Sequence, residues 1–125
     1  MKTSNQTTIL IVEDEWMILR LAEKVLEQYG YEVLIATDPY QAIYVAGETQ
    51  GKIDLLLSDV GLPKMGALEM REKIREMQPD IRTIFLSGLS PEDLEQKGVD
   101  AQKEDVIFKP CQNHELVGRV QYVLQ

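Results

Sequence analysis

Short apolar runs alternate with longer stretches of helical period along the whole chain. Thr8 to Val12, Glu32 to Ala36, Asp54 to Ser58, Arg82 to Leu86 and Asp105 to Phe108 are rich in Ile, Val and Leu. Runs this short and this apolar predict strands buried on both faces. Between them, Ile18, Leu21, Ala22, Val25 and Tyr29 mark a first helix closed by Gly30. The second opens at Asp38-Pro39, with Gln41 completing a capping box. Ala67, Met70, Ile74 and Met77 form the stripe of a third helix that stops before Pro79. Leu116, Val120, Val123 and Leu124 do the same for the last. Ser90-Pro91-Glu92-Asp93 starts a fourth helix, but only Leu94 and Val99 follow before a polar stretch, so one or two turns are expected. Five strand–helix repeats predict an α/β fold, a doubly wound five-stranded parallel sheet with helices on both faces.

Polar residues stand where each strand ends. Glu13 and Asp14 follow the first, Asp59 the third, Ser87 the fourth and Lys109 the fifth. Open α/β sheets bind ligands at the carboxyl ends of their strands. In a sheet of order 2-1-3-4-5, the crevice between strands one and three gathers Glu13, Asp14 and Asp59. Three neighbouring carboxylates repel one another, and a hard divalent cation with oxygen ligands, Mg2+, removes the conflict. Lys109 and Ser87 opposite such an ion make a cradle for a phosphoryl group, with the Asp59 carboxylate as its acceptor.

The chain has 125 residues, enough for one domain, and a net charge of -8. An acidic surface repels a phosphate backbone, so direct nucleic-acid binding is not expected. The single Cys111 forms no internal disulfide, and no apolar run approaches membrane length. Residues 1–7 are polar, lack the apolar core of a secretion signal and are expected to be a disordered tail before a domain at 8–125. A cytoplasmic location follows as an expectation. Trp16 is expected in partial core or rim packing, His114 as a solvated helix-start residue, and Cys111 as a small buried hydrophobe.

The run ILIVEDE, the segment LLLSDVGLPKMGALEM, the segment TIFLSG and the tail FKP together resemble the receiver domain of two-component response regulators. The resemblance extends from Thr8 to Leu124 in order and spacing, and it implies a flavodoxin-like fold. It further implies that Asp59 is the phosphoacceptor and that Glu13 and Asp14 bind Mg2+ with the backbone carbonyl of Gly61. Ser87 would be the switch hydroxyl and Lys109 the family's lysine, joined to Pro110 by a cis peptide bond. The donor would be a phosphohistidine on a sensor histidine kinase or a histidine phosphotransfer protein. The reader would be a downstream protein effector or a fused output domain. Catalysis would extend only to the domain's own phosphorylation and dephosphorylation.

The chain departs from the family pattern at three places. Val106 holds the place of a signalling aromatic, Gly66-Ala67 replaces the common Asp-Gly after Pro63, and Cys111 follows Lys-Pro. These changes resemble receivers attached to hybrid sensor kinases. Other functions fit less well. A phosphohydrolase of this topology needs an acid two residues past its nucleophile, where Gly61 stands. A nucleotide or flavin module needs a phosphate cradle after the first strand, where Glu13-Asp14-Glu15 would repel it. A pseudo-receiver, binding a partner without phosphorylation, is the alternative within the family.

Overall fold

A computed structural model describes residues 6–125; most of the expected tail at 1–7 lies outside them. Strands β1 (Thr8–Val12), β2 (Glu32–Ala36), β3 (Leu55–Asp59), β4 (Arg82–Ser87) and β5 (Asp105–Phe108) alternate with five helices. These are α1 (Trp16–Gln28), α2 (Pro39–Glu48), α3 (Ala67–Met77), α4 (Pro91–Gln96) and α5 (Asn113–Leu124). The sheet is parallel throughout, in the order β2-β1-β3-β4-β5. That is the doubly wound arrangement expected from the alternation.

The period of two along each strand divides the core between the faces of the sheet. Ile9, Ile11, Leu57, Ile84 and Ile107 face α1 and α5, where they meet Leu19, Leu26, Leu116 and Val120. Leu10, Val12 and Leu56 face α2 and α3, against Ala42, Ala46, Met70 and Ile74. Phe85 and Val106 continue that second face toward α4, packing on Val60, Leu94 and Val99. Asp54 falls just before β3 rather than inside it. Its main-chain N–H donates to the Thr8 carbonyl and its carboxylate accepts from the Thr8 N–H, both at 2.9 Å, which sets β1 against β3.

Helix boundaries follow their local chemistry. Asp38 caps α2 by accepting from the Gln41 N–H at 2.9 Å, while the Gln41 side chain accepts from the Thr37 N–H. Ser90 caps α4 through the Asp93 N–H at 3.2 Å, and the helix ends after six residues, as expected. Gly30 takes φ 91° just past α1, a conformation that favours glycine. The exception is Lys64, at φ 78°, in the loop between β3 and α3; its ammonium lies 3.5 Å from Asp38.

The buried face of α1 differs in phase from the expected stripe. Leu19 and Leu26 are buried, with Ala22 and Val25 partly so, whereas Ile18, Leu21 and Tyr29 are exposed. The helix carries apolar residues on more than one face, so periodicity alone admits two phases. Leu19→Ala should lower the unfolding free energy by about 2–5 kcal/mol, against less than about 1 kcal/mol for Leu21→Ala. Urea denaturation of the two variants measures the contrast, and equal losses would contradict this packing.

Candidate functional site

Strand register brings the polar strand-end residues together. Val12 pairs with Ser58, so Glu13 and Asp59 stand one step further at the same level. Asp59 pairs with Leu86 and Ser87 pairs with Phe108, which places Ser87 and then Lys109 one step beyond their neighbours. Asp59 and Ser87 are the last residues of their strands rather than the first after them. The Lys109 N–H donates to the Ser87 carbonyl at 2.7 Å, tying the ends of β4 and β5 together.

The carboxylates of Glu13, Asp14 and Asp59 converge, with one oxygen of each within 4.8 Å of the others. Glu13 is buried, Asp59 half-buried and Asp14 exposed. The Lys109 ammonium lies 3.2 Å from Glu13 Oε2 and 3.1 Å from Asp59 Oδ1. One cation therefore answers two of the three acids. Burial pushes the Glu13 carboxyl above its usual range, and the Asp59 charge adds to this. The Glu15 N–H, donating to Glu13 Oε1 at 3.2 Å, and Lys109 oppose the shift without cancelling it. Burial draws the Lys109 ammonium toward neutrality, but Asp59 and Glu13 outweigh it and hold its pKa above the ordinary value.

The donor set suits a hard cation. Ligand oxygens around Mg2+ at about 2.1 Å stand roughly 3–4 Å apart, so small side-chain rotations would close the three acids on an ion. The exposed side of Asp14 leaves room for waters. Beside Gly61 the backbone is open: a Cβ there would be 3.9 Å from Asp59 Oδ2, an ordinary contact. Ser87 is buried, and its hydroxyl accepts from the Leu89 N–H at 3.0 Å in the loop before α4.

The remaining sequence-predicted positions are equally definite. The Lys109–Pro110 peptide bond is cis. Val106 is 7% exposed and packs in the cluster of Phe85, Leu94 and Val99. Cys111 is partly buried against the α1–α5 core, and burial raises its thiol pKa. His114 is exposed in the first turn of α5, whose capping box is formed by Gln112 and Glu115. Trp16 is more open than rim packing implies, 56% exposed, with the Arg20 guanidinium 5.7 Å from the ring centroid. Sequence reasoning missed Arg71. This arginine is buried on α3, stands over the Phe85 ring and meets Glu104 at 2.5 Å, linking α3 to the segment before β5. Its place on the inner face of α3, one residue after Met70, was the available signal.

The family model described as "Response regulator receiver domain" matches residues 9–121. The chain belongs to this family. Over 120 residues the receiver domain is 37% identical to the phosphate regulon transcriptional regulatory protein PhoB of Pseudomonas aeruginosa, covering 94% of this chain and 52% of that protein. It is 31% identical over 123 residues to the sensor kinase CckA of Brucella abortus, covering 98% of this chain and 13% of that protein. The chain thus spans about half the length of the regulator and a small part of the kinase. Among solved structures, the receiver domain from the hybrid histidine kinase CckA aligns with a TM-score of 0.79 at 34% identity, covering 94% of this chain and 99% of that one. A CheY-like receiver domain protein from Methanospirillum hungatei aligns at 0.82 and 28%, covering 96% and 94%. The flavodoxin-like fold is shared with both. No helix among the described residues is long and apolar enough to cross a membrane.

The raised Glu13 pKa has a direct effect on stability. Folded Glu13 keeps its proton to a higher pH than the unfolded chain does, so its protonation favours the folded state. That contribution is complete below the ordinary value of 4.5 and is lost as pH rises through the folded value. Glu13→Gln should therefore raise the urea midpoint at pH 7 relative to its effect at pH 4. A midpoint change equal at both pH values would contradict the raised pKa.

Proposed function

We propose that residues 8–125 act as a phosphoacceptor signalling unit. In this reading Asp59 takes a phosphoryl group from a partner phosphohistidine. What carries the proposal is the Lys109 ammonium lying within 3.2 Å of both Glu13 and Asp59, with Asp14 in the same acidic cluster. The set combines a carboxylate nucleophile, oxygen ligands for a divalent cation and a fixed positive charge. Membership of the receiver family supports the same roles.

Glu13, Asp14 and Asp59, with the Gly61 carbonyl, would hold Mg2+. When bound, the ion supplies positive charge that draws phosphoryl oxygens toward the acids. An Asp59 carboxylate oxygen attacks phosphorus, the phosphorus–nitrogen bond of the donor breaks, and the departing imidazole nitrogen takes up its electron pair. Lys109 turns its ammonium from the carboxylates to the transferred oxygens, and the Ser87 hydroxyl donates to another. Ser87 can do this while still accepting from Leu89, because a hydroxyl offers one proton and two lone pairs. Hydrolysis of the resulting acyl phosphate restores the carboxylate, so the domain catalyses only its own modification.

The new dianion beside Ser87 and Lys109 biases the loop before α4, and a protein effector or a fused output domain reads that change. The donor is a sensor histidine kinase or a histidine phosphotransfer protein. The domain itself makes no direct nucleic-acid contact in this reading, since its net charge of -8 opposes a phosphate backbone. Its place of action is the cytoplasm. Val106 lacks the ring that would swing into space vacated by Ser87, so the signal leaves through the loop and the cluster around Phe85.

Incubation with Mg2+ and acetyl phosphate, followed by intact-mass measurement, tests the reading. The expected result is a Mg2+-dependent gain of one phosphoryl group, absent in Asp59→Asn. Equal labelling of that variant would overturn the nucleophile assignment. No labelling by acetyl phosphate or a phosphohistidine donor would favour a pseudo-receiver. Lys109→Ala should still bind Mg2+, measured by titration calorimetry, while labelling slows by roughly 10²-fold, the usual effect of losing one charge-stabilising donor.

A further inference from the structure

We infer that the Arg71–Glu104 ion pair is a latch that holds the stretch from Leu89 to Glu104 closed against the sheet. By doing so it opposes occupation of the candidate site by a phosphoryl group. Its effect on that site rests on the phosphoacceptor reading of Asp59, whereas the latch itself stands on the contacts alone.

The stretch has little of its own to keep it in place. It contains α4, six residues long with Leu94 its one buried side chain, and only turns separate that helix from β5. The main-chain bonds after α4 are local: the Val99 N–H donates to the Leu94 carbonyl and the Glu104 N–H to that of Asp100. Leu94 and Val99 pack on Phe85 and Val106. Among the described residues, two polar side-chain contacts join the stretch to the rest of the fold. At its start, Ser87 Oγ accepts from the Leu89 N–H at 3.0 Å. At its end, the Arg71 guanidinium on α3 donates to the Glu104 carboxylate at 2.5 Å. The stretch is clamped at both ends.

The two clamps answer to different things. Ser87 lies on the face of Phe85 and Val106, whereas Glu13, Asp59 and Lys109 end the other face. To reach a phosphoryl oxygen on Asp59, the hydroxyl must shift toward that side, and the Leu89 N–H bonded to it is drawn along. Arg71 does not follow. Its side chain is 8% exposed, with the neighbouring Glu72 at 3.2 Å and the Phe85 ring centroid 5.5 Å from the guanidinium. These contacts fix Arg71 to α3 and β4 independently of Glu104. A pinned far end resists movement of the near end, and losing the pin removes that resistance. By linkage, loosening the far end favours the form in which the near end has moved.

Amide hydrogen exchange and beryllofluoride binding, both measured on the full chain, test this. Without ligand, Glu104→Ala should speed exchange across residues 91–104 roughly tenfold, as expected for loss of one charged hydrogen bond, and leave β1 and β3 unchanged. With Mg2+ present, the same variant should bind beryllofluoride, a phosphoryl mimic, more tightly by up to the same factor, read by fluorine NMR. A contact that only supports the fold would not tighten binding. Arg71→Met, which keeps an apolar chain beside Phe85, should match Glu104→Ala, and the double variant should exceed neither. Glu72→Ala, which removes the other partner of Arg71 without touching the stretch, should change neither reading. Unchanged exchange in Glu104→Ala would overturn the latch, as would faster exchange with beryllofluoride binding unchanged or weaker. No beryllofluoride binding by the unsubstituted chain would instead sink the phosphoacceptor reading, and the exchange contrast alone would then decide the latch.

Discussion

An ammonium held between two carboxylates at the end of a parallel sheet is the contact around which this receiver domain is organised. Glu13 is buried just past the end of β1 and Asp59 ends the neighbouring β3, so their charges sit close together. Lys109, arriving from the fifth strand at 3.1–3.2 Å, makes that concentration of negative charge tolerable. The contact joins residues 96 positions apart in sequence. It forms only when β1, β3, β4 and β5 have their correct order and register. A one-residue slip of β3 against β1 would turn Asp59 to the other face of the sheet, away from Glu13 and Lys109.

The sheet makes the site possible by keeping its two faces distinct. The residues facing α1 and α5 end in Glu13, Asp59 and Lys109, with Lys109 in contact with both acids. Ser87 continues the face of Phe85 and Val106, and its hydroxyl engages the loop leading to α4. Charge therefore accumulates on one side of the sheet end while the Ser87 hydroxyl belongs to the other. Arg71 reinforces the second side, with its guanidinium over Phe85 and its ion pair to Glu104. An apolar cluster and one ion pair thus connect the neighbourhood of Ser87 to the segment before β5.

Much of this architecture was legible in the sequence because its signals were redundant. Each strand was an apolar run ending in a polar residue, and caps such as Asp38 and Ser90 marked helix starts independently of periodicity. The candidate site was legible because five polar residues fell at equivalent strand ends. What failed to show did so for physical reasons. The phase of α1 was ambiguous because Met17, Ile18 and Leu21 are apolar yet exposed, so hydrophobicity did not distinguish the inner face. Arg71 looked like any charged helical residue until the position of Glu104, 33 residues away, revealed its partner.

The shortness of α4 carries a consequence for local opening. Six residues, with Leu94 alone buried, lie far below the length at which a helix persists in water by itself. Its order is borrowed from Val99, Phe85 and Val106 beneath it. Amide hydrogens in this turn thus exchange through an opening that leaves the five strands intact, at a free energy well below that of global unfolding. This short helix adjoins the loop anchored by Ser87 Oγ. A small change in the partners of one hydroxyl can thus be felt by a whole segment without disturbing the rest of the fold.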